Sequence, residues 1–178
     1  QEGFGRQAEV TIWTPSAGDE AAFLTLDEPF QSRARRAAYL LAKLISEEKD
    51  IYLVVRDGYR DAPEQMAKYE IGREYRDGHW VKVGPTSTNA LPSSGPHCYR
   101  RAVHLILIKD KKWLGDDDKR WHLVGEAANK AKVVWGGNFK ELFDAAHIEA
   151  VDWRDLARRR GRKPLAPSER CHEGKVIE

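Results

Sequence analysis

The stretch "SSGPHCYRRAVHLILI", Ser93–Ile108, runs from a polar, proline-marked approach straight into an apolar segment. Its last seven residues, Ala102–Ile108, are apolar except for His104, which predicts a core strand entered from a turn. Two of the six histidines in the chain, His97 and His104, stand seven residues apart around the start of that strand. Such a pair is either incidental polarity at a strand edge or two ligands of a metal that needs a third.

The elements on either side set the fold class. Upstream, in "LDEPFQSRARRAAYLLAKLISEEKD", Ala34, Ala37, Ala38, Leu41, Leu44 and Ile45 recur at helical spacing and predict a long amphipathic helix. "IYLVV", Ile51–Val55, predicts a buried strand, and "DGYRD" turns out of it. "APEQMAKYEIGRE" carries proline near its start and glycine near its end, as a second helix should. The run "DGHWVKVGPTSTNALPSSGPH" is expected to be a long loop, and a loop of that length in a compact domain is usually functional. Downstream, "WHLVGEAANKAKV" predicts a helix, "VWGGNF" a glycine-marked turn and "HIEAV" a short strand. Helices and strands alternate through connections too short for a large doubly wound sheet. The expected architecture is therefore α+β, a small and largely antiparallel sheet flanked by helices in a single domain.

Composition limits the function classes. A chain of 178 residues with 33% charged and 41% hydrophobic residues is long enough for one domain with a real core, and leaves little room for a second. No apolar run approaches a membrane span or has the flanks of a signal peptide, so no transmembrane segment is expected, and composition leaves localisation open. A net charge of +2 argues against a dedicated nucleic-acid binder, and no specific nucleic acid is expected as a partner. The positive charge concentrates in "RDLARRRGRK", Arg154–Lys163. That run is either a solvated helix end or a contact for an anionic partner such as cell-wall polymer. The expected organisation is one domain over residues 1–156 and a basic, flexible tail over 157–178. Cys98 and Cys171 make no framework of bridges and no thiolate zinc site.

A third ligand is on offer in "FDAAHIE", Phe143–Glu149. His147 stands at the mouth of a short strand with Asp144 three residues before it. A catalytic zinc takes about three protein ligands and leaves a position open, while a nearby carboxylate serves as general base. Alone, this spacing is weak. His79, His122 and His172 have no such context and are expected on the surface.

The ordered set of motifs is stronger than any one of them. From about Leu26 to Val151 the chain resembles the zinc peptidases of bacterial cell-wall metabolism, which include D-alanyl-D-alanine carboxypeptidases and the L-alanyl-D-glutamate endopeptidases of phage endolysins. Their SGYRS turn with a following glutamine corresponds to "RDGYRDAPEQ", Arg56–Gln65, and their YxxGR and TNA segments to "YEIGRE" and Thr88–Ala90. Their closing block, WGG followed by DxxHxE, corresponds to "WGGNFKELFDAAHIE", Trp135–Glu149. Against the first metal motif, SxHxxGxAxD, the chain has Gly95 for the serine, Arg100 for the glycine and His104 for the aspartate. That aspartate is a zinc ligand in the family, and histidine is chemically able to replace it.

The resemblance implies a set of roles. His97, His104 and His147 hold Zn2+; Asp144 is the general base; Arg60 stabilises negative charge on the tetrahedral intermediate; Gln65 and Ser94 help bind substrate. Trp135 and the glycines after it form either a wall of the substrate cleft or a packed turn. Glu149 either orients a ligand histidine or pairs on the surface. The implied substrate is the peptidoglycan stem peptide, met at the bacterial cell wall in the periplasm or outside the cell. Cleavage between L-Ala and D-Glu is the first expectation, D-Ala-D-Ala carboxypeptidase activity the second, and a non-catalytic peptide or partner binder the third.

Overall fold

A computed structural model describes residues 13–172 and 175–177. The central strand is β4 (Ala102–Lys109), which is buried along nearly its whole length and has neighbours on both edges. On one edge lies β1 (Ile51–Arg56); on the other, β7 (His147–Glu149) pairs with the first three residues of β4. Two short strands, β5 (Lys112–Trp113) beside β4 and β6 (Val134–Trp135) beside β7, complete a sheet whose pairings are all antiparallel. The α+β architecture anticipated from the sequence is the one observed.

One face of the sheet is covered by α2 (Phe30–Leu44), which packs on α4 (His122–Lys130). The alanines of α2, Ala34, Ala37 and Ala38, are completely buried together with Leu41. Small residues at helical spacing let the helix axis approach the sheet closely, and Leu105 and Leu107 of β4 fill the space beneath.

Helix α1 (Ala17–Leu24) fixes the end of β1. Ser16 and Asp19 cap it reciprocally, and the second oxygen of Asp19 accepts a 2.7 Å hydrogen bond from the Val55 amide. At the other end of α1, the Thr25 hydroxyl accepts from the Tyr59 amide at 2.8 Å. The turn after β1 passes so close to Thr25 that a side chain at Gly58 would meet its hydroxyl at 2.0 Å, which explains the glycine there. Helix α3 (Ala62–Glu70) then starts from an Asp61 and Glu64 capping box.

Two expectations need correction. The long loop from residue 77 is in part a hairpin, β2 (Arg73–Arg76) paired with β3 (His79–Lys82). Asp77 and Gly78 at its tip both have positive φ, the backbone of a two-residue hairpin turn, so the Asp-Gly pair was the signal. The flexible tail expected from residue 157 is instead packed on the domain through Cys171. Helix α5 (Trp153–Arg159) and the segment after it bury Leu156, Ala157, Leu165 and Cys171 against Cys98 and Tyr99, forming a second small core. A final pair, β8 (Arg170–His172) with β9 (Lys175–Ile177), follows.

That anchorage is made by the motif around His97. Arg100 takes a left-handed backbone conformation, φ 56°, at the position where the metal motif has glycine. Its guanidinium donates to the carbonyls of Thr25, Pro167 and Glu169 at 2.8, 2.6 and 2.9 Å and lies 3.9 Å from the centre of the Tyr59 ring. Asp27, fully buried, accepts from the Cys171 amide at 2.7 Å and pairs with Arg170 at 3.3 Å. Two basic residues of this segment also pair with carboxylates, Arg160 with Glu169 and Arg158 with Asp155.

Candidate active site

Antiparallel pairing brings two of the histidines together. Residues directly opposed across β4 and β7 project on the same face, and His104 is opposite His147. The third, His97, sits in a single 3-10 turn, Pro96–Tyr99, just before β4, with its ring centre 5.0 Å from that of His104 and 5.2 Å from that of His147. One ring nitrogen from each of the three lies within 4.8 Å of the others.

The hydrogen-bond partners assign the tautomers. His97 Nδ1 donates to the Gly58 carbonyl at 2.8 Å, His104 Nδ1 to the Asp57 carboxylate at 3.1 Å, and His147 Nε2 to the Glu149 carboxylate at 3.0 Å. In each neutral ring the remaining nitrogen is then a bare acceptor: Nε2 of His97, Nε2 of His104 and Nδ1 of His147. The last two face each other at 3.4 Å, with no hydrogen available between them. Ligand nitrogens of a tetrahedral zinc site stand about 3.3–3.4 Å apart, given bonds of about 2.0–2.1 Å. Three converging acceptors, each fixed from behind by an oxygen, fit a metal cation and leave it open on the solvent side.

Burial and charge sharpen this arrangement. Complete burial holds His97 well below the ordinary histidine value, helped by the two neighbouring imidazoles and Arg60, so it stays neutral and ready to ligate. The hydrogen bond from His104 holds the Asp57 carboxyl below its usual range, outweighing its partial desolvation. Burial works against ionisation of Glu149, yet hydrogen bonds from His147 and from the Trp153 indole at 2.8 Å leave it below the ordinary value.

The predicted residues gather around an open cleft of about 850 Å³. Asp144 lines it with Oδ2 3.8 Å from His104 Nε2. Its position depends on Gly136, where a side chain would run into the Asp144 carbonyl at 2.5 Å and His147 Cβ at 2.9 Å. Arg60 lines the cleft almost fully buried, and burial pulls its guanidinium below its ordinary value. Gln65, buried as well, uses its oxygen to accept from Arg60 Nη1 at 2.7 Å and its nitrogen to donate to the Ala90 carbonyl at 2.7 Å. It therefore holds Arg60 and the Thr88–Ala90 segment in place. Ser94 lies on the rim, where the cleft meets a groove bordered by Trp153, Arg154, Arg158 and Arg162.

Trp135 does not line the cleft. Its ring fills the space beside Gly125 and Gly137, and its indole donates to the Ala145 carbonyl at 2.8 Å, so of the two expectations the packed turn is the one observed. Phe139 stands nearer the site, its ring 5.6 Å from that of His147. His79 and His122 are exposed as expected, and the side chain of His172 lies outside the described residues. Cys98 is free, and burial pushes its thiol up to about 12, which makes it a poor nucleophile.

Sequence reasoning missed Asp57 and the Gly58 carbonyl. Both belong to the "DGYRD" turn, but only the pairing of β1 with β4, which sets Arg56 opposite His104, brings that turn to the histidines.

Comparison with known proteins agrees with the geometry. Residues 89–150 match the family model of D-alanyl-D-alanine carboxypeptidase. The chain is similar to the peptidoglycan L-alanyl-D-glutamate endopeptidase CwlK of Bacillus subtilis (strain 168), 28% identical over 118 residues that make up 61% of this chain and 66% of that protein. In fold it is similar to the crystal structure of the Serratia marcescens L-Ala D-Glu endopeptidase ChiX, with a TM-score of 0.52 and 18% identity over 79% of this chain and 91% of that one. The segment that the family model matches contains all three histidines and Asp144.

Proposed function

We propose that the protein is a zinc-dependent peptidase that cleaves the stem peptide of bacterial peptidoglycan between L-Ala and D-Glu. The observation that carries the reading is the convergence of three tautomer-fixed histidine nitrogens on the cleft that also holds Asp144 and Arg60. The names of the relatives CwlK and ChiX support the bond and the substrate.

Bound at His97, His104 and His147, zinc supplies Lewis-acid activation of the scissile carbonyl and of the attacking water. The residues of the chain do the rest. Asp144, beside His104 and open to solvent, takes the proton from the attacking water and passes it to the leaving amine. Arg60, fixed by Gln65, presents the remaining edge of its guanidinium to the negative charge that develops on the carbonyl oxygen. Glu149 keeps His147 in the ligating tautomer through the 3.0 Å hydrogen bond.

An endopeptidase needs room on both sides of the scissile bond. The cleft continues past Ser94 into the groove with Arg154, Arg158 and Arg162, which suits a longer acidic peptide better than the short D-Ala-D-Ala terminus. Among the described residues no helix is long and apolar enough to cross a membrane, and the proposed site of action is the cell wall, in the periplasm or outside the cell.

Digestion of purified peptidoglycan, with mass analysis of the products, tests the reading. New N-terminal D-Glu, abolished by a chelator and restored by zinc, is the expected result. Release of D-Ala alone would assign carboxypeptidase activity instead, and an intact wall after zinc reconstitution would leave a binding protein.

A further inference from the structure

Two departures from the motif pattern stand beside the candidate metal site, and they touch. His104 occupies the place of the aspartate in SxHxxGxAxD, and Asp57 occupies the place of the first serine in SGYRS. Their side chains meet at 3.1 Å, His104 Nδ1 donating to Asp57 Oδ2. The contact follows from the fold. The register of β1 against β4 ends with Arg56 opposite His104, and the next residue, Asp57, steps out of the strand with φ 55°, a left-handed conformation that aspartate tolerates better than most side chains.

The chemistry of the exchange is specific. An aspartate at 104 would bring a full negative charge to the metal and would need no tautomer. A neutral imidazole brings neither charge nor a unique donor atom, because either ring nitrogen can ligate and the ring can turn over. A carboxylate on Nδ1–H resolves both problems, since it commits the proton to Nδ1, aims Nε2 at the cleft and returns a negative charge to within one hydrogen bond of the ligand. Glu149 stands in the same relation to His147, and the Gly58 carbonyl to His97.

Resting on the reading of the three histidines as metal ligands, we infer that Asp57 is a positioning residue for His104: the carboxylate that this chain lacks at 104 has been moved to 57, behind the ligand.

Zinc titration of the metal-free protein tests this in the parent, Asp57→Asn, Asp57→Ser, His104→Asp and the double variant Asp57→Asn with His104→Asp. Asparagine tolerates the left-handed position as aspartate does, and SGYRS carries serine there, so both variants should fold, and the metal-free melt reports separately what loss of the His104 hydrogen bond costs the fold. Each single change at 57 should weaken zinc binding about 10- to 100-fold. It should also alter the visible spectrum of the cobalt(II)-substituted protein. In the His104→Asp background there is no ring N–H to hold, so the further loss from Asp57→Asn should shrink to within about threefold. Equal losses in the two backgrounds, or zinc binding by Asp57→Asn and Asp57→Ser as tight as the parent's, would overturn the inference while the metal site stands. A parent that binds no zinc would overturn both.

Discussion

His104 Nε2 and His147 Nδ1 face each other at 3.4 Å from directly paired positions on β4 and β7, and both are acceptors. Without a positive centre this arrangement sets lone pair against lone pair. A cation shared with His97 Nε2 converts the same geometry into a site.

Removing one of the three acceptors should therefore cost the metal. His104→Ala is expected to lower zinc affinity at least about 100-fold, more than loss of a residue behind a ligand. His104→Asp should keep the metal. Equilibrium dialysis at pH 7.5 decides it, and an alanine variant that binds zinc as tightly as the parent would rule out the three-histidine site.

Asp144 is held in place by its backbone, which bonds to Gly136 and His147, while its carboxylate is partly exposed 3.8 Å from His104 Nε2. Asp144→Asn should retain fold and zinc while turnover falls about 10²- to 10⁴-fold, the usual worth of a general base. Steady-state hydrolysis of a soluble stem peptide, with metal content measured on the same sample, separates the two effects; near-parental kcat would remove Asp144 from the mechanism.

Acid should destabilise the metal-free protein in a defined window. Burial holds His97 below the ordinary value of about 6.5, so between the two values the unfolded chain binds more protons than the folded one. Stability then rises with pH through that window and is lost on acidification, by about 1.4 kcal/mol one unit below the unfolded value. Denaturant melts at pH 7.5 and 5.5 should show this loss, and His97→Gln should flatten the slope. The depressed carboxyls Asp57 and Glu149 lend stability at both of these pH values and lose it only on further acidification, because their unfolded values lie near 4.

Arg100 should matter more to stability than to chemistry. Arg100→Gly relieves a left-handed backbone but removes three hydrogen bonds, two of which clamp Pro167 and Glu169 to the domain while the third reaches Thr25. The net expected loss is about 2 kcal/mol, since hydrogen bonds from a charged donor outweigh the backbone relief. Limited proteolysis should also become faster within residues 160–170. Unchanged stability and protease resistance would mean that the second core alone holds the segment.

The sequence by itself determined the elements with a period. The alanine stripe of α2, the apolar run of β4 and the caps of α3 are local patterns, and each has one favourable way to bury itself. The same holds for His97, His104, His147 and Asp144, whose spacing and order were legible as motifs. What the tertiary structure alone decided was how separate segments meet. The register of β1 on β4 sets Asp57 against His104, and no local signal encodes a register between strands about fifty residues apart. Trp135 reads equally well as cleft wall or packed turn until Gly125, in helix α4, is seen to make room for it. The segment after residue 157 is rich in charge and so resembles a solvated tail; its few apolar residues, Leu165 and Cys171, become a core only because Tyr99 and Trp153 converge on them from distant parts of the chain.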